Sequence, residues 1–144
     1  MKKICFVCLG NICRSPMAEF VMKELAIKDD FYIESRATSS WEHGHPVHRG
    51  TQKVLQDHGI PYNHFKTSKQ VSLDDISSFD YIVGMDKQNV KDLKAMFPAE
   101  FKSKIFLFIE EGVPDPWFTG DFEETYHLVK KGCSLWLEEL RNDI

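Results

Sequence analysis

Cys8 and Arg14 are the residues of this chain whose types and spacing most clearly indicate chemistry. Five residues separate them, and Ser15 and Pro16 follow directly. A cysteine thiolate is a strong nucleophile, and an arginine guanidinium presents a planar fork of N–H donors that matches two oxygens of a phosphate group. The two groups at opposite ends of one short loop predict nucleophilic attack on a bound phosphoryl group.

The loop between these residues has the composition of an anion site. Gly10 and Asn11 tolerate left-handed backbone angles, which allow successive N–H groups to turn towards one point. The loop leads into a predicted helix, whose first N–H groups and positive dipole end attract anions and favour the thiolate form of Cys8. The residues predicted to bind phosphate are Leu9, Gly10, Asn11, Ile12, Cys13, Arg14 and Ser15.

Other interpretations of this segment agree less well with its sequence. Cys5 and Cys8 have the spacing of a redox pair, but they lie in an apolar run that predicts a strand rather than the start of a helix. A nucleotide-binding P-loop requires Gly-Lys followed by Ser or Thr, which this loop lacks. Taken singly, Cys8 and Arg14 are most simply a buried strand end and a surface cation, so the prediction depends on their combination.

Residues 113–118 supply a candidate proton donor. Asp115 stands between Pro114 and Pro116, which stiffen the loop. A leaving phenolate or alkoxide needs a proton, and a carboxyl group beside the site provides it and then acts as a base towards water. The residues alone leave open an ordinary Asp-Pro turn.

Trp41 and Trp117 are the candidate substrate-binding residues. Both lie in predicted loops, among polar, Gly or Pro neighbours, so we expect them to border the pocket rather than the core. Aromatic rings on either side of a phosphate site favour a flat aryl phosphate.

The elements that must position these residues alternate between strand-like and helix-like patterns. Continuous apolar runs predict buried strands at residues 4–7, 31–33, 81–83 and 105–109. Helices are predicted from Pro16 with Ser15 as its N-cap, from Pro46 to His58, after Ser72 and after Asp86 with these two residues as N-caps, and over residues 122–140, with residues 112–120 as a loop.

This alternation predicts an α/β fold in a single domain, residues 1–144. We expect a three-layer sandwich, in which a four-stranded parallel sheet carries helices on both faces and a phosphate-binding loop follows strand 1. Ligand sites of such sheets lie beyond the C-terminal ends of the strands, so the loops after strands 1 and 4 should meet.

Composition excludes several classes of function. The chain has 144 residues and a formal net charge of −4, which disfavours a nucleic-acid partner. It contains no apolar stretch long enough for a membrane span or a signal peptide, so we expect a cytoplasmic protein whose cysteines are reduced thiols. The spacing of His43, His45 and His48 is not that of a known zinc site, so we expect no metal.

The run Cys-Leu-Gly-Asn-Ile-Cys-Arg-Ser-Pro resembles the signature of the low-molecular-weight protein tyrosine phosphatases. The similarity extends over nearly the whole chain and includes the motifs Ala37-Thr38-Ser39, His58-Gly59-Ile60, Asp80-Tyr81-Ile82, Met85-Asp86 and Asp115-Pro116-Trp117. The resemblance implies a phosphatase without metal or organic cofactor. It also implies phosphotyrosine-containing proteins as substrates, and inorganic phosphate as both product and inhibitor.

The resemblance also assigns roles to single residues. It implies that Asp115 is the general acid and that Trp41 and Trp117 form the substrate walls. It further implies that Asn11 and Ser35 hold the loop by hydrogen bonds, that Ser15 donates to the Cys8 sulfur, and that Cys13 forms a reversible disulfide with Cys8. An inert thiol remains an equal alternative for Cys13.

Three alternatives stay open. Protein-arginine phosphatases share the scaffold and resemble Cys-Thr-Gly-Asn-Thr-Cys-Arg, with threonine where this chain has Ile12, so Ile12 favours phosphotyrosine. An arsenate reductase would relay electrons through further cysteines near the C-terminus, where only Cys133 stands. A phosphate-binding module without turnover is disfavoured by the intact set of Cys8, Arg14 and Asp115. An exposed aromatic rim would also permit weak self-association of a monomer.

Overall fold

A four-stranded, all-parallel sheet forms the centre of the computed structural model, which describes residues 1–142. Residues 143 and 144, the end of the predicted domain, lie outside the described residues. The strands are β1 (Lys2–Cys8), β2 (Phe31–Ala37), β3 (Tyr81–Gly84) and β4 (Ile105–Leu107), in the spatial order β2-β1-β3-β4. The predicted parallel sheet is confirmed.

The helices lie on both faces of this sheet. They are α1 (Arg14–Leu25), α2 (Arg49–Asp57), α3 (Leu73–Ser78), α4 (Lys87–Met96), α5 (Pro116–Thr119) and α6 (Phe122–Asn142), with a 3-10 helix at Ala99–Lys104. Ile4 and Phe6 of β1 pack towards α1, α2 and α6, whereas Cys5 and Val7 pack towards α3 and α4. A strand buried on both faces explains the continuous apolar run, and the three-layer prediction is confirmed.

Two predicted helix starts are wrong. Helix α1 begins at Arg14 rather than Pro16, and its N-cap position is held by Cys13, which makes no side-chain capping bond. Ser15 is therefore no N-cap, because its hydroxyl is engaged near Cys8 instead. Helix α2 begins at Arg49 rather than Pro46, because the His48 side chain accepts the capping bond from the N–H of Gly50.

The region after β3 also differs in part from the prediction. Strand β4 ends at Leu107 rather than at residue 109, and the short helix α5 lies within the predicted loop 112–120.

The capping predictions for Ser72 and Asp86 are confirmed. Ser72 forms a capping box with Asp75, and the side chain of Asp86 accepts from the N–H of Asn89.

The topology brings the functional loops together. All four strands are parallel, so their C-terminal ends lie at one edge of the sheet. The topological switch point lies between β1 and β3, because β2 is added on one side of β1 and β3 on the other. The loop after β1 and the segment after β4 meet at this edge, where Nη1 of Arg14 donates to the carbonyl of Val113.

Candidate active site

The loop between β1 and α1 is held by its carbonyl groups. Five of these carbonyls accept a hydrogen bond from outside the loop: Cys8 O from Thr38 N, Leu9 O from Ser39 N and Oγ, Gly10 O from Ser68 Oγ, Ile12 O from His48 N, and Cys13 O from Thr51 Oγ. Because the carbonyls point outwards, the N–H groups of the loop are free to point inwards. This is the backbone arrangement of an anion nest.

The sulfur of Cys8 lies at the focus of these N–H groups. Cys8 is the last residue of β1 and is 2% exposed. Its Sγ accepts from the backbone N–H of Asn11 at 3.3 Å and of Ser15 at 3.4 Å, and Ser15 Oγ lies 3.1 Å away. Donors on several sides stabilise a negative sulfur, which is the form needed for attack.

Asn11 is buried, and its hydrogen bonds stabilise the conformation of the loop. It has φ of 56° and is the one non-glycine residue with positive φ in the described part of the chain. Its side-chain N–H₂ donates to Ser15 Oγ at 2.8 Å and to Ser35 Oγ at 3.0 Å, while its Oδ1 accepts from the N–H of Lys69. Asparagine tolerates the left-handed conformation, and these bonds hold it there.

The network continues to a buried carboxylate that was not predicted from the sequence. Ser35 Oγ donates to Glu19 Oε1 at 2.6 Å, and the same oxygen lies 3.2 Å from Lys66 Nζ. Lys23 Nζ lies 2.7 Å from the other oxygen of Glu19. A chain of polar groups thus joins the loop to an ion cluster behind it. The signal that could have found Glu19 is its place among the apolar residues of α1.

Arg14 is buried among acidic and carbonyl oxygens. Its Nη1 donates to Asp86 Oδ2 at 2.6 Å and to the carbonyl of Val113 at 3.0 Å, and its Nη2 lies 3.5 Å from Asp115 Oδ2. Burial alone would lower the pKa of Arg14, but the charges of Cys8, Asp86 and Asp115 outweigh it and raise the pKa. The guanidinium is therefore a permanent, oriented cation.

Asp115 lies across the cavity from the loop, where its carboxylate has two contacts. One oxygen accepts from the N–H of Trp117 at 3.0 Å, so Asp115 is the N-cap of α5, and the other faces Arg14. The capping bond fixes the side chain, while about a fifth of it stays exposed. Cys8, Arg14 and Asp115, the three predicted catalytic residues, line one cavity.

This cavity measures about 180 Å³ and carries both predicted walls. Its lining consists of Cys8, Leu9, Gly10, Ile12, Cys13, Arg14, Trp41, Glu42, Asp115, Trp117 and Phe118. Trp41 is 74% exposed and Trp117 is 58% exposed, so both rings stand at the mouth with free faces. A separate groove of about 630 Å³ near Trp136 is larger but is lined mainly by apolar side chains, and no cysteine is among its described lining residues.

The other cysteines have the character of buried thiols. Burial raises the pKa of Cys5 and of Cys133. Burial is also the main cause that raises the pKa of Cys13, with a further contribution from the charge of neighbouring Cys8. Cys5 points into the core of the sheet, which agrees with the rejection of a redox pair with Cys8.

The histidine-rich loop is engaged in other contacts. His45 pairs with Glu42, and His48 caps α2. Within residues 1–142, no cluster of three or more His, Cys, Asp or Glu side chains has the geometry to hold a metal ion. Over the same residues, none of the helices combines the length and the apolar character that a membrane span needs.

The fold and the site together define a class of protein. A loop of inward N–H groups that runs from a strand-end cysteine to a helix-start arginine, with an acid opposite, is the arrangement of a cysteine-dependent phosphatase. The sequence model of the low molecular weight phosphotyrosine protein phosphatases matches residues 3–144. The chain belongs to this family, which confirms the resemblance and the prediction of a protein tyrosine phosphatase.

Similar proteins cover almost the whole chain. A low molecular weight protein-tyrosine-phosphatase, PtpA, of Staphylococcus aureus (strain Newman) is 40% identical over an alignment of 153 residues. The alignment covers 99% of this chain and 96% of that protein. The crystal structure of a low molecular weight protein tyrosine phosphatase from Streptococcus pyogenes is 62% identical, with a TM-score of 0.95 and coverage of 97% and 93%. A drosophila arginine phosphatase is 33% identical, with a TM-score of 0.87 and full coverage of both chains.

Proposed function

We propose that this protein hydrolyses phosphotyrosine in proteins, with Cys8 as nucleophile, Arg14 as phosphate clamp and Asp115 as acid and base. The observation that carries the proposal is the position of the Cys8 sulfur, which lies at the centre of the nest and shares one cavity with Arg14 and Asp115. The family and the similar phosphatases support the same reaction.

The first step transfers the phosphoryl group to sulfur. The phosphate oxygens bind the N–H groups of residues 9–15 and the Arg14 guanidinium, which leaves phosphorus in line with the sulfur. Cys8 Sγ attacks phosphorus while the bond to the tyrosine oxygen breaks. The Asp115 carboxyl group gives its proton to that oxygen, so tyrosine leaves as a neutral phenol and a phosphocysteine remains.

The second step returns the enzyme to its starting state. The Asp115 carboxylate takes a proton from a water molecule, whose oxygen attacks phosphorus. The bond from phosphorus to sulfur breaks, and inorganic phosphate and the Cys8 thiolate are released. The Ser15 hydroxyl, 3.1 Å from the sulfur, donates to the leaving thiolate. Arg14 and the backbone donors supply the charge stabilisation in both steps, so the mechanism uses no metal or organic cofactor.

The mouth of the cavity favours an aryl phosphate. Trp41 and Trp117 offer apolar faces to a flat ring, and Ile12 adds an apolar lining where an arginine phosphatase would place a threonine hydroxyl. The structural similarity to an arginine phosphatase keeps phosphoarginine as the alternative substrate. A guanidinium can also stack on tryptophan, so the choice between the two substrates rests on Ile12, which offers a phosphoguanidinium no hydroxyl group.

A burst experiment tests the covalent step. p-Nitrophenyl phosphate has a leaving group that needs no proton, so Asp115→Asn should retain the first step and lose the second. We expect a burst of about one nitrophenol per enzyme, followed by a rate about 10²–10⁴-fold below wild type, with the phosphoryl group found on Cys8 by mass spectrometry.

Asp74→Asn, an exposed carboxylate on α3, is the matched control and should behave as wild type. Cys8→Ser is the blank and should bind phosphate without turnover. Turnover by wild type with no burst and no phosphoryl group on Cys8 in Asp115→Asn would contradict the proposed intermediate.

Cys13 is proposed to protect the nucleophile. Peroxide oxidises the Cys8 thiolate to sulfenic acid, and the Cys13 thiol then attacks that sulfur to form a disulfide and release water. Both residues line the same cavity. The Cys8 charge that helps to raise the pKa of Cys13 disappears on oxidation, which favours the second step. After inactivation by peroxide, we expect thiol reductants to restore the activity of the wild type but not of Cys13→Ser.

The remaining proposals concern partners and location. We propose phosphotyrosine-containing proteins as substrates, inorganic phosphate as product and competitive inhibitor, and no nucleic-acid or membrane partner. The net charge of −4 agrees with this choice. We further propose one phosphatase domain over residues 1–144, a cytoplasmic location, and either a monomer or weak self-association through the exposed aromatic rim.

A further inference from the structure

His48 lies at the junction of the phosphate-binding loop, helix α2 and the cavity wall. Its backbone N–H donates to the carbonyl of Ile12 at 2.8 Å, and its ring Nδ1 accepts from the N–H of Gly50 at 3.0 Å. Because Nδ1 is the acceptor, the neutral ring carries its proton on Nε2. The imidazole is thus held in one orientation at the start of α2.

The His48 ring contacts two aromatic side chains. It stacks on Phe122 with the centroids 5.0 Å apart and the planes 16° apart, and it meets Trp117 edge to face at 5.7 Å and 82°. Stacked and edge-to-face pairs at these distances attract each other. The imidazole therefore connects the first residue of α6 with the ring at the mouth of the cavity.

Of these two partners, Phe122 is the fixed one. A Cβ placed on Gly50 would lie 2.5 Å from the Phe122 ring, so this ring packs directly against the backbone of α2. Trp117 is 58% exposed and belongs to the four-residue helix α5. An exposed side chain on so short a helix has few neighbours to hold one rotamer, and the His48 ring is one of them.

We propose that His48 is a positioning residue that holds Trp117 as a wall of the substrate cavity. This inference rests on the proposed function, in which Trp117 contacts the aryl ring of phosphotyrosine. A wall that is ordered before binding lowers the entropic cost of the stack with the substrate. Loss of the His48 ring therefore raises KM and leaves the chemistry at Cys8 unchanged.

Two variants separate the ring from the cap. His48→Asn keeps a side-chain acceptor for the first turn of α2 and removes the ring, whereas His48→Phe keeps a ring and removes the acceptor. With a phosphotyrosine peptide, we expect His48→Asn to raise KM by about three- to tenfold, with kcat within about twofold. We expect His48→Phe to keep the wild-type KM and to have a lower Tm.

A double-mutant cycle shows whether the effect passes through Trp117. In a Trp117→Ala background, His48→Asn should cause no further rise in KM. The inhibition constant of inorganic phosphate should be the same in wild type and both His48 variants, because phosphate does not reach the wall. If His48→Asn does not fold, Phe122→Leu removes the support of the imidazole and should raise KM in the same direction.

An unchanged KM in His48→Asn would overturn the inference, as would an equal rise in both His48 variants or a further rise in the Trp117→Ala background. Should Phe122→Leu have to replace His48→Asn, a wild-type KM in that variant would likewise overturn it. Failure of the proposed function is a separate observation, because the wild-type protein would then not turn over the phosphotyrosine peptide.

Discussion

Ser35 donates a 2.6 Å hydrogen bond to the carboxylate of Glu19, and this contact connects the phosphate-binding loop to a buried ion cluster. Ser35 in turn accepts from Asn11, the strained residue of the loop. The shape of the loop therefore depends on a charge that lies behind the sheet edge and touches no substrate.

Glu19→Gln should lower the stability of the fold. The amide oxygen can still accept from Ser35, but Lys23 loses its counter-charge, and Lys66, which is only 10% exposed, is left with the more distant carboxylate of Glu34 at 3.9 Å. Because removal of one partner from a buried ion pair is costly, we expect a loss of about 2–4 kcal/mol in the free energy of unfolding, measured in urea. Glu24→Gln, on the exposed face of the same helix, should change it by less than about 0.5 kcal/mol. Equal stability of the two variants would contradict this role of Glu19.

Arg14→Lys should reduce kcat by about 10²–10³-fold, although the charge is kept. The guanidinium lines the cavity while its Nη1 donates to Asp86 and to the Val113 carbonyl, and an ammonium cannot reproduce this fork. Steady-state kinetics with a phosphotyrosine peptide measure the effect. Arg141→Lys, which alters an exposed pair with Asp29, is the control and should keep full activity. A kcat of Arg14→Lys within tenfold of wild type would rule out a bidentate clamp.

Ser15→Ala should slow turnover by about 10–100-fold, because the Cys8 thiolate loses one donor both as nucleophile and as leaving group. The rate at which iodoacetate alkylates Cys8 reports on the thiolate without turnover, and we expect this rate to fall together with kcat. Ser77→Ala, which removes an exposed hydroxyl on α3, should leave both rates unchanged. Wild-type rates in Ser15→Ala would show that the hydroxyl instead serves the Arg36 carbonyl, 3.3 Å away.

Iodoacetamide at neutral pH should label Cys8 well before the other three cysteines. Burial raises the pKa of Cys5, Cys13 and Cys133, so these thiols remain protonated. Cys13 lines the cavity together with Cys8, but the Cys8 sulfur accepts hydrogen bonds from the backbone N–H groups of Asn11 and Ser15, which favour its thiolate. Peptide mass spectrometry after short labelling measures the order, and saturating phosphate should protect Cys8. Labelling of Cys13 before Cys8 would contradict the assignment of the nucleophile.

The sequence was most informative where one local segment carries both the element and the chemistry. The strand that ends at Cys8 and the loop that ends at Arg14 could be predicted because apolar continuity, turn residues and donor types lie side by side. The error at the start of α1 has a physical cause. A serine before a proline normally caps a helix, but a capped helix end would offer fewer free N–H groups to phosphate, and Ser15 serves Cys8 instead.

Contacts between distant parts of the chain could not be read from the sequence. Asp86 meets Arg14 across 72 positions, and only the parallel pairing of β1 with β3 places them side by side. Asp86 was predicted as a helix cap, which it is, but its second oxygen serves the active site. The same limit applies to His48, whose aromatic partners belong to the segment around α5 and α6.

The most direct test of the central claim is side-by-side turnover of a phosphotyrosine peptide and a phosphoarginine peptide of the same sequence, with EDTA present and Cys8→Ser as the blank. We predict preferred release of phosphate from the phosphotyrosine peptide and none from the blank. Preferred turnover of the phosphoarginine peptide would keep Cys8, Arg14 and Asp115 but contradict the substrate and the role given to Ile12. Phosphate binding without turnover of either peptide would contradict catalysis itself.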